Sequence, residues 1–333
     1  MISSTAALTR ADIGVLIRAV SRAPSVHNTQ PWRLQFRRAD IDLVERADVS
    51  LPRHDPDHRD RRLSCGAALA HLHLAVRVLG RAGTTSLGGD GKIAATVHTG
   101  PGPVPGPAEL ARYHAIGRRR SYRRRFTAQP LGHDDVAALL AAGGELGVPA
   151  VSPARVGELG TMLGFATRVL RDDPAYQREL ASWTTSTTGR AAVGSGDGVP
   201  AAALGDGPPP EAGLVRRGTP VPDDAHLAQR LAAETVLVFC TEEDTWRAQL
   251  MAGAALERTW LEATVRGLSG SVLTQPLHLA GFRERLARRL DLPGLPQAIF
   301  RCGHPADAVP PSPRLPFPEL LPGEIPEGWA PGS

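Results

Sequence analysis

Ala23-Pro24-Ser25-Val26-His27-Asn28-Thr29-Gln30-Pro31-Trp32 is the stretch on which the reading of this chain turns. A segment of helical apolar periodicity precedes it and a strand-like run follows, which predicts a short polar turn held between two packed elements. Pro24 and Pro31 fix their own φ and bias the preceding residue toward extended geometry, so little freedom remains between them. A stiff loop of small and amide side chains can offer backbone N–H groups, and the amides of Asn28 and Gln30, to the edge of a flat heterocycle.

Working outward, Thr9-Arg10-Ala11-Asp12 reads as a capping box, and Ile13, Leu16, Ile17 and Val20 then repeat at helical spacing. Beyond the turn, 33–36 and 41–45 read as a hairpin over a polar tetrapeptide. The segment 51–59 carries several possible metal ligands. It lacks the glycine and terminal glutamate of a calcium loop and the paired helical histidines of a zinc site, so it is expected to be a solvated, salt-bridged loop without a metal. Residues 65–79 form a helix apolar nearly all round, therefore central, with Gly66, Ala67 and Ala68 allowing close backbone approach. His71 and His73 lie two apart and cannot face one ligand from a regular helix.

The chain then reads as a strand at 92–98, a linker at 99–107 and helices at 108–116, 134–142, 156–171 and from Asp173-Pro174 to Trp183, with Pro174 at the first helical position. Residues 184–222 are dense in Gly, Pro, Ala and Thr without a period, as expected of a lid, a binding loop or an insert. The glycines at 194, 196 and 198 have no strand before them and no helix after, so they make no phosphate loop. A buried strand at 235–241, a long helix at 246–267, a run at 268–275 and a strand at 297–302 complete the order, and the proline-rich tail from Pro310 must lie on a surface.

Two helices share a pattern. Cys65-Gly-Ala-Ala-Leu with a glycine at 80 can be laid without a gap on Ala252-Gly-Ala-Ala-Leu with a glycine at 267, and strands flank each copy in comparable order. A tandem duplication explains this.

The other strong feature is Gly117-Arg118-Arg119-Arg120-Ser121-Tyr122-Arg123-Arg124-Arg125-Phe126. Guanidinium groups form bidentate, charge-assisted bonds to phosphate worth about 1.5–3 kcal/mol each. One phosphate cannot absorb six arginines, so Arg118, Arg124 or Arg125 should face solvent or acids. Clustered arginines also suit nucleic acid, but one short cluster without a nucleic-acid motif argues against that partner.

The turn resembles the PSxxNxQPW signature of the flavin-dependent nitroreductase superfamily, and the arginine block resembles its RRS phosphate segment. The RRxxRxxF spacing is most similar to the actinobacterial Acg-type branch, in which two nitroreductase units are fused. The resemblance spans most of the chain outside 184–222. It implies an α+β nitroreductase fold with two pseudo-repeated units in one chain, 1–107 and 108–333, resembling a nitroreductase homodimer, with a lid inserted at about 184–222. It implies one FMN per chain, since each half keeps one of the two binding elements. A single phosphate site without an adenine pocket favours FMN over FAD. Carried over residue by residue, Pro24, Ser25, Val26, Asn28 and Gln30 would meet the flavin ring and ribityl chain. Arg119, Arg120, Ser121 and Arg123 would hold the phosphate and ribityl, and Leu273, Thr274 and Gln275 the reactive edge, where this chain lacks the commoner glycine or glutamate. Arg314 would return to the phosphate. No side chain is expected to be a catalytic nucleophile, because hydride enters and leaves at the cofactor. The implied reaction is reduction by NAD(P)H followed by reduction of a nitroaromatic- or quinone-like acceptor. The alternative is a protein that stores or sequesters FMN with little turnover.

At 333 residues, 42% hydrophobic and 22% charged, the composition is that of a globular protein large enough for two such units. Three cysteines without CxxC spacing fit a reducing cytoplasm. No signal peptide or membrane span is expected, and a fused dimer is expected to remain a monomer.

Overall fold

The computed structural model describes residues 7–88, 92–185, 196–200, 214–218 and 220–321. Helix α1 (Arg10–Val20) begins at the expected box: Thr9 Oγ1 accepts from the Asp12 N–H at 3.2 Å while Asp12 Oδ2 accepts from the Thr9 N–H at 2.9 Å. Strands β1 (Trp32–Arg37) and β2 (Asp40–Glu45) form the hairpin, turning at Arg38 with φ of 55°. Helix α2 (Arg59–Val78) starts six residues earlier than expected. The cause is Asp55, whose two carboxylate oxygens accept the N–H groups of Asp60 and Arg61 and so satisfy the open helix end.

Strand β3 (Arg81–Leu87) was not expected; it is a half-exposed edge strand poor in large apolar residues. Strand β4 (Ile93–Pro101) runs into the expected linker, which shrinks to 102–106. Helix α3 (Pro107–Arg118) follows, then α4 (His133–Gly144), β5 (Ala150–Val151), α5 (Val156–Asp172) and α6 (Pro174–Trp183). Asp173 caps α6 by accepting from the N–H groups of Ala175 and Tyr176. Two-residue strands β6 (Thr184–Thr185) and β7 (Val199–Pro200) pair in parallel. Most of the expected lid, including Gly194, lies outside the described residues. Helix α7 (Asp224–Ala232), strand β8 (Thr235–Thr241), helix α8 (Trp246–Val265), strand β9 (Ser269–Leu273), helix α9 (Phe282–Leu290) and strand β10 (Leu295–Gly303) complete the fold.

The two four-stranded sheets have the orders β1-β2-β4-β3 and β5-β8-β10-β9, antiparallel throughout. In each, the long helix connects the second strand of that order to the fourth. The helices α2 and α8 pack directly on one another, and their close approach is possible only at glycine. A Cβ on Gly66 would run into the Leu250 carbonyl oxygen, and one on Gly253 into that of Leu63. Both helices end at a glycine with positive φ, 70° at Gly80 and 75° at Gly267, where L-residues are strained. As far as residue 321 the proline-rich tail lies along the first sheet, with Leu315 and Leu320 buried in the same core as Trp32, Leu34 and Leu72. Among the described residues no helix is long and apolar enough to cross a membrane.

Candidate functional site

A crevice opens along the α2–α8 seam, with about 130 Å³ of room for the centre of a water-sized sphere. Its walls come from distant parts of the chain. Pro24, Ser25, Val26 and His27 of the signature turn form one side, and Ser121 and Arg123 of the arginine block another. Leu273, Thr274 and Gln275 close a third side. The apolar wall is Leu63 and Ala67 from α2 with Leu256 and Trp260 from α8. Leu214, from the segment expected as a lid, also lines the crevice.

The turn is held in a conformation most side chains avoid. His27, Asn28 and Gln30 have φ of 46°, 59° and 48°, in the left-handed region that usually carries an energetic penalty. Local bonds fix it: Ser25 Oγ accepts from the Gln30 N–H at 2.9 Å, and Ser64 Oγ accepts from the Val26 N–H at 3.1 Å while donating to the Asp60 carbonyl at 2.6 Å.

Asn28 and Gln30 do not line the crevice. Asn28 Nδ2 donates to the Pro313 and Gly196 carbonyls, and its Oδ1 accepts from Arg314 at 2.8 Å. Gln30 is fully buried; Nε2 donates to the carbonyls of Gly196 and Asn28, and Oε1 accepts from the Leu315 N–H. These amides therefore stitch the turn to both the tail and the 196–200 segment.

A second, much smaller pocket, about 10 Å³ on the same measure, adjoins the crevice, and Ser121 lines both. Its walls include four arginines, Arg22, Arg119, Arg120 and Arg314. Ser121 is placed there by sheet geometry: it pairs in parallel with Gly270, and the Tyr122 N–H donates to the Gly270 carbonyl at 2.8 Å. Among the described residues the one carboxylate paired with any of these arginines is Glu257, 3.3 Å from Arg119 Nε. Arg119 Nε and Nη1 and Arg314 Nε are buried without hydrogen-bond partners. Burial, then the charges of Arg119, Arg22 and Arg120, push Arg314 down to about 9, and burial and Arg119 push Arg123 down to about 10. Mutually repelling, underbonded cations around a pocket are what a bound anion would relieve. Of the remaining arginines in the block, Arg118 and Arg125 are exposed and Arg124 pairs with Asp307.

The segment at 51–59 corrects the expectation of a solvated loop. Arg53 does pair with Asp173 on the surface, but His54, Asp55 and Arg59 are buried, together with Asp60. They are covered because partners far along the chain satisfy them. Glu179 accepts from the Arg53 and His54 N–H groups, His278 lies 3.0 Å from Asp60, and Thr274 Oγ1 donates to Asp60 at 2.5 Å. Asp55, Asp60 and His278 could offer ligand atoms to one cation. In this structure Arg59 lies among them, 3.5 Å from Asp60 and 3.2 Å from His278 Nε2, and both Asp55 oxygens cap α2.

His27, which lines the crevice, also escaped the sequence reading. The Tyr176 carbonyl can only accept, so the proton of neutral His54 sits on Nε2, 2.8 Å away. His54 Nδ1 then accepts from His27 Nε2 at 2.5 Å, leaving Nδ1 of neutral His27 as an acceptor. Burial, then His54, hold His27 well below its ordinary value.

Asp60 gives a pH test. Burial would raise its carboxyl, but His278, Arg59 and Thr274 outweigh it and hold the group at about 2. A carboxyl lower in the folded than the unfolded chain adds stability above its unfolded value near 4, and this is lost as pH falls toward 2. Asp55, raised to about 6 by burial and by Asp60, acts oppositely, adding stability as pH drops from 6 to about 4. In urea unfolding from pH 5 to 2, Asp60→Asn is expected to lose less stability than the wild type; parallel curves would refute this.

With the site in view, comparison with known proteins is decisive. "Putative NAD(P)H nitroreductase Rv3131" of Mycobacterium tuberculosis is 36% identical over 316 residues, covering 90% of this chain and 88% of that one. The chain belongs to the nitroreductase family. A second M. tuberculosis nitroreductase of this designation, acg, is 26% identical over 92% of this chain and 93% of its own length. No family model matches. Among solved structures, a nitroreductase with bound FMN from Bacteroides fragilis aligns with 67% of this nitroreductase and 98% of its own chain, at 16% identity and a TM-score of 0.36. This nitroreductase has the α+β fold that its sequence motifs implied.

Proposed function

We propose that the protein is an FMN-binding oxidoreductase whose ring site is the crevice and whose phosphate site is the four-arginine pocket. The observation that carries this reading is that Ser121 lines both cavities, a largely apolar crevice and an underbonded cationic pocket. A planar ring with a phosphate-bearing tail matches that sequence of environments. The nitroreductase family and the FMN named for the Bacteroides structure agree with it.

In this reading Arg119, Arg120, Arg314 and Ser121 would hold the phosphate, while Arg123 and Ser25 would meet the rest of the cofactor along the crevice. Val26, Leu273, Thr274 and Gln275 would border the ring, and Trp260 and the leucines would keep water from it. When bound, FMN would supply hydride transfer between NAD(P)H and a nitroaromatic- or quinone-like acceptor. The chain's contribution is orientation and charge: a rigid turn that loses little entropy on binding, and cations that fix the tail. Asn28 and Gln30 would act one step back, holding the turn. We further propose that 1–107 and 108–333 are fused units working as a monomer in the cytoplasm, with the segment bearing Leu214 as a lid. FMN retention with little turnover is a second reading, favoured by the bonds that fasten Gly196 and the tail beside the turn.

Absorbance spectra of the purified protein under anaerobic conditions test both. A flavin spectrum bleached within seconds by NADH or NADPH supports the oxidoreductase, and a flavin spectrum untouched by either supports retention. A colourless protein that FMN neither colours nor stabilises would refute the cofactor.

A further inference from the structure

Behind the arginine pocket lies a buried chain of charged and polar groups that the flavin reading does not use. His71, on α2, and Glu257, on α8, are both fully buried and meet across the helix seam, with His71 Nε2 2.7 Å from Glu257 Oε1. The other ring nitrogen of His71 faces the Ala19 carbonyl at 2.8 Å, at the end of α1. A carbonyl can only accept, so Nδ1 carries a proton; Nε2 faces a carboxylate, so a further proton lies between the ring and Glu257. The same Glu257 oxygen stands 3.3 Å from Arg119 Nε.

Arg119 is thereby fixed from three directions. Glu257 Oε1 stands 3.3 Å from Nε as an ion pair without a hydrogen bond, the Arg22 carbonyl accepts from Nη2 at 3.2 Å, and the guanidinium lies over the Trp260 ring, 4.5 Å from its centroid. What remain are Nε and Nη1, both buried without a hydrogen-bond partner, in a side chain that lines the pocket. Glu257 therefore stands to Arg119 as an outer partner stands to a ligating group, setting its orientation from behind. His71 stands to Glu257 in the same way: its proton keeps one carboxylate from cancelling the pocket's positive charge.

We propose that Glu257 and His71 are positioning residues for the pocket's anion, acting through Arg119, and that they make the site selective for a phosphate monoester over the same ligand without phosphate. The proposal rests on the flavin reading above. Neither residue itself lines the crevice, so their effect should fall chiefly on the phosphate and spare ring binding.

The test is the ratio of FMN to riboflavin affinity, measured by fluorescence titration of the flavin-free protein. Glu257→Gln and His71→Leu are expected to lower that ratio by about tenfold or more, with riboflavin affinity within about twofold of wild type. His71→Gln, which keeps a donor toward Glu257, should restore most of the ratio. In an Arg119→Gln background, Glu257→Gln should add nothing further. A parallel loss of FMN and riboflavin binding, an unchanged or increased ratio, or an undiminished Glu257→Gln effect without Arg119 would each overturn the proposal. Should Glu257→Gln fail to fold, the His71→Leu and His71→Gln pair carries the test; should His71→Leu fail, Glu257→Gln with and without Arg119→Gln carries it. If the wild type binds neither flavin, the flavin reading fails on its own, and inorganic phosphate decides the positioning role. Thermal stabilisation by phosphate that Glu257→Gln abolishes would sustain it, and equal stabilisation of both would end it.

Discussion

Gly253→Val is expected to destabilise the protein by at least about 3 kcal/mol, enough to leave much of it unfolded or insoluble. The physical reason is that this position carries no spare volume at all. A Cβ there overlaps the carbonyl, carbonyl carbon and Cα of Leu63, which are backbone atoms of the opposing helix and cannot rotate away. Relief requires α2 and α8 to separate, and that separation would break the apolar contacts of Leu63, Leu256 and Trp260 on both sides of the seam. Gly157→Ala in α5 is the matched control, because a Cβ there meets nothing within 4 Å and alanine favours the helix. Urea unfolding followed by circular dichroism should show the control at least as stable as wild type. Near-wild-type stability for Gly253→Val would mean that the helices do not approach as described.

Arg314→Gln should separate function from stability. In the flavin reading its guanidinium meets the phosphate, so FMN should bind about 10–100-fold more weakly, the equivalent of one charge-assisted bond. The flavin-free protein should be no less stable, because Arg314 is a cation held down to about 9 by burial and by three neighbouring arginines. The repulsion relieved is expected to offset the bonds that Arg314 now makes to the Asn28 oxygen and the Arg22 carbonyl. Thermal melts with and without FMN check both halves. Stabilisation by FMN as large in the variant as in the wild type would place the phosphate elsewhere. Local strain and repulsion retained for a ligand are a common way in which binding sites depart from the stability optimum.

The turn at 23–32 and the arginine block were legible because each is a contiguous run whose chemistry is local: prolines set the backbone and guanidiniums set the charge. The meeting of the two around one crevice was legible only through family resemblance, since nothing in either run specifies the other. Partners remote in sequence account for the misreadings. Polar composition made 51–59 look solvated, yet Glu179 and His278, more than a hundred residues away, bury it. The amides of Asn28 and Gln30 grip carbonyls, an N–H and a guanidinium contributed by Gly196, Pro313, Leu315 and Arg314. Strand β3 was missed because an exposed edge strand, Arg81 to Leu87, needs no apolar alternation. Helix α9, with Phe282, Leu286 and Leu290 at regular spacing, could have been found by period alone.

The exposed connection at 102–106, with Val104 87% accessible, contributes no wall to either cavity. A molecule nicked at Val104 would still be clamped by its interlocked glycines, and its two fragments would leave a sizing column as one particle.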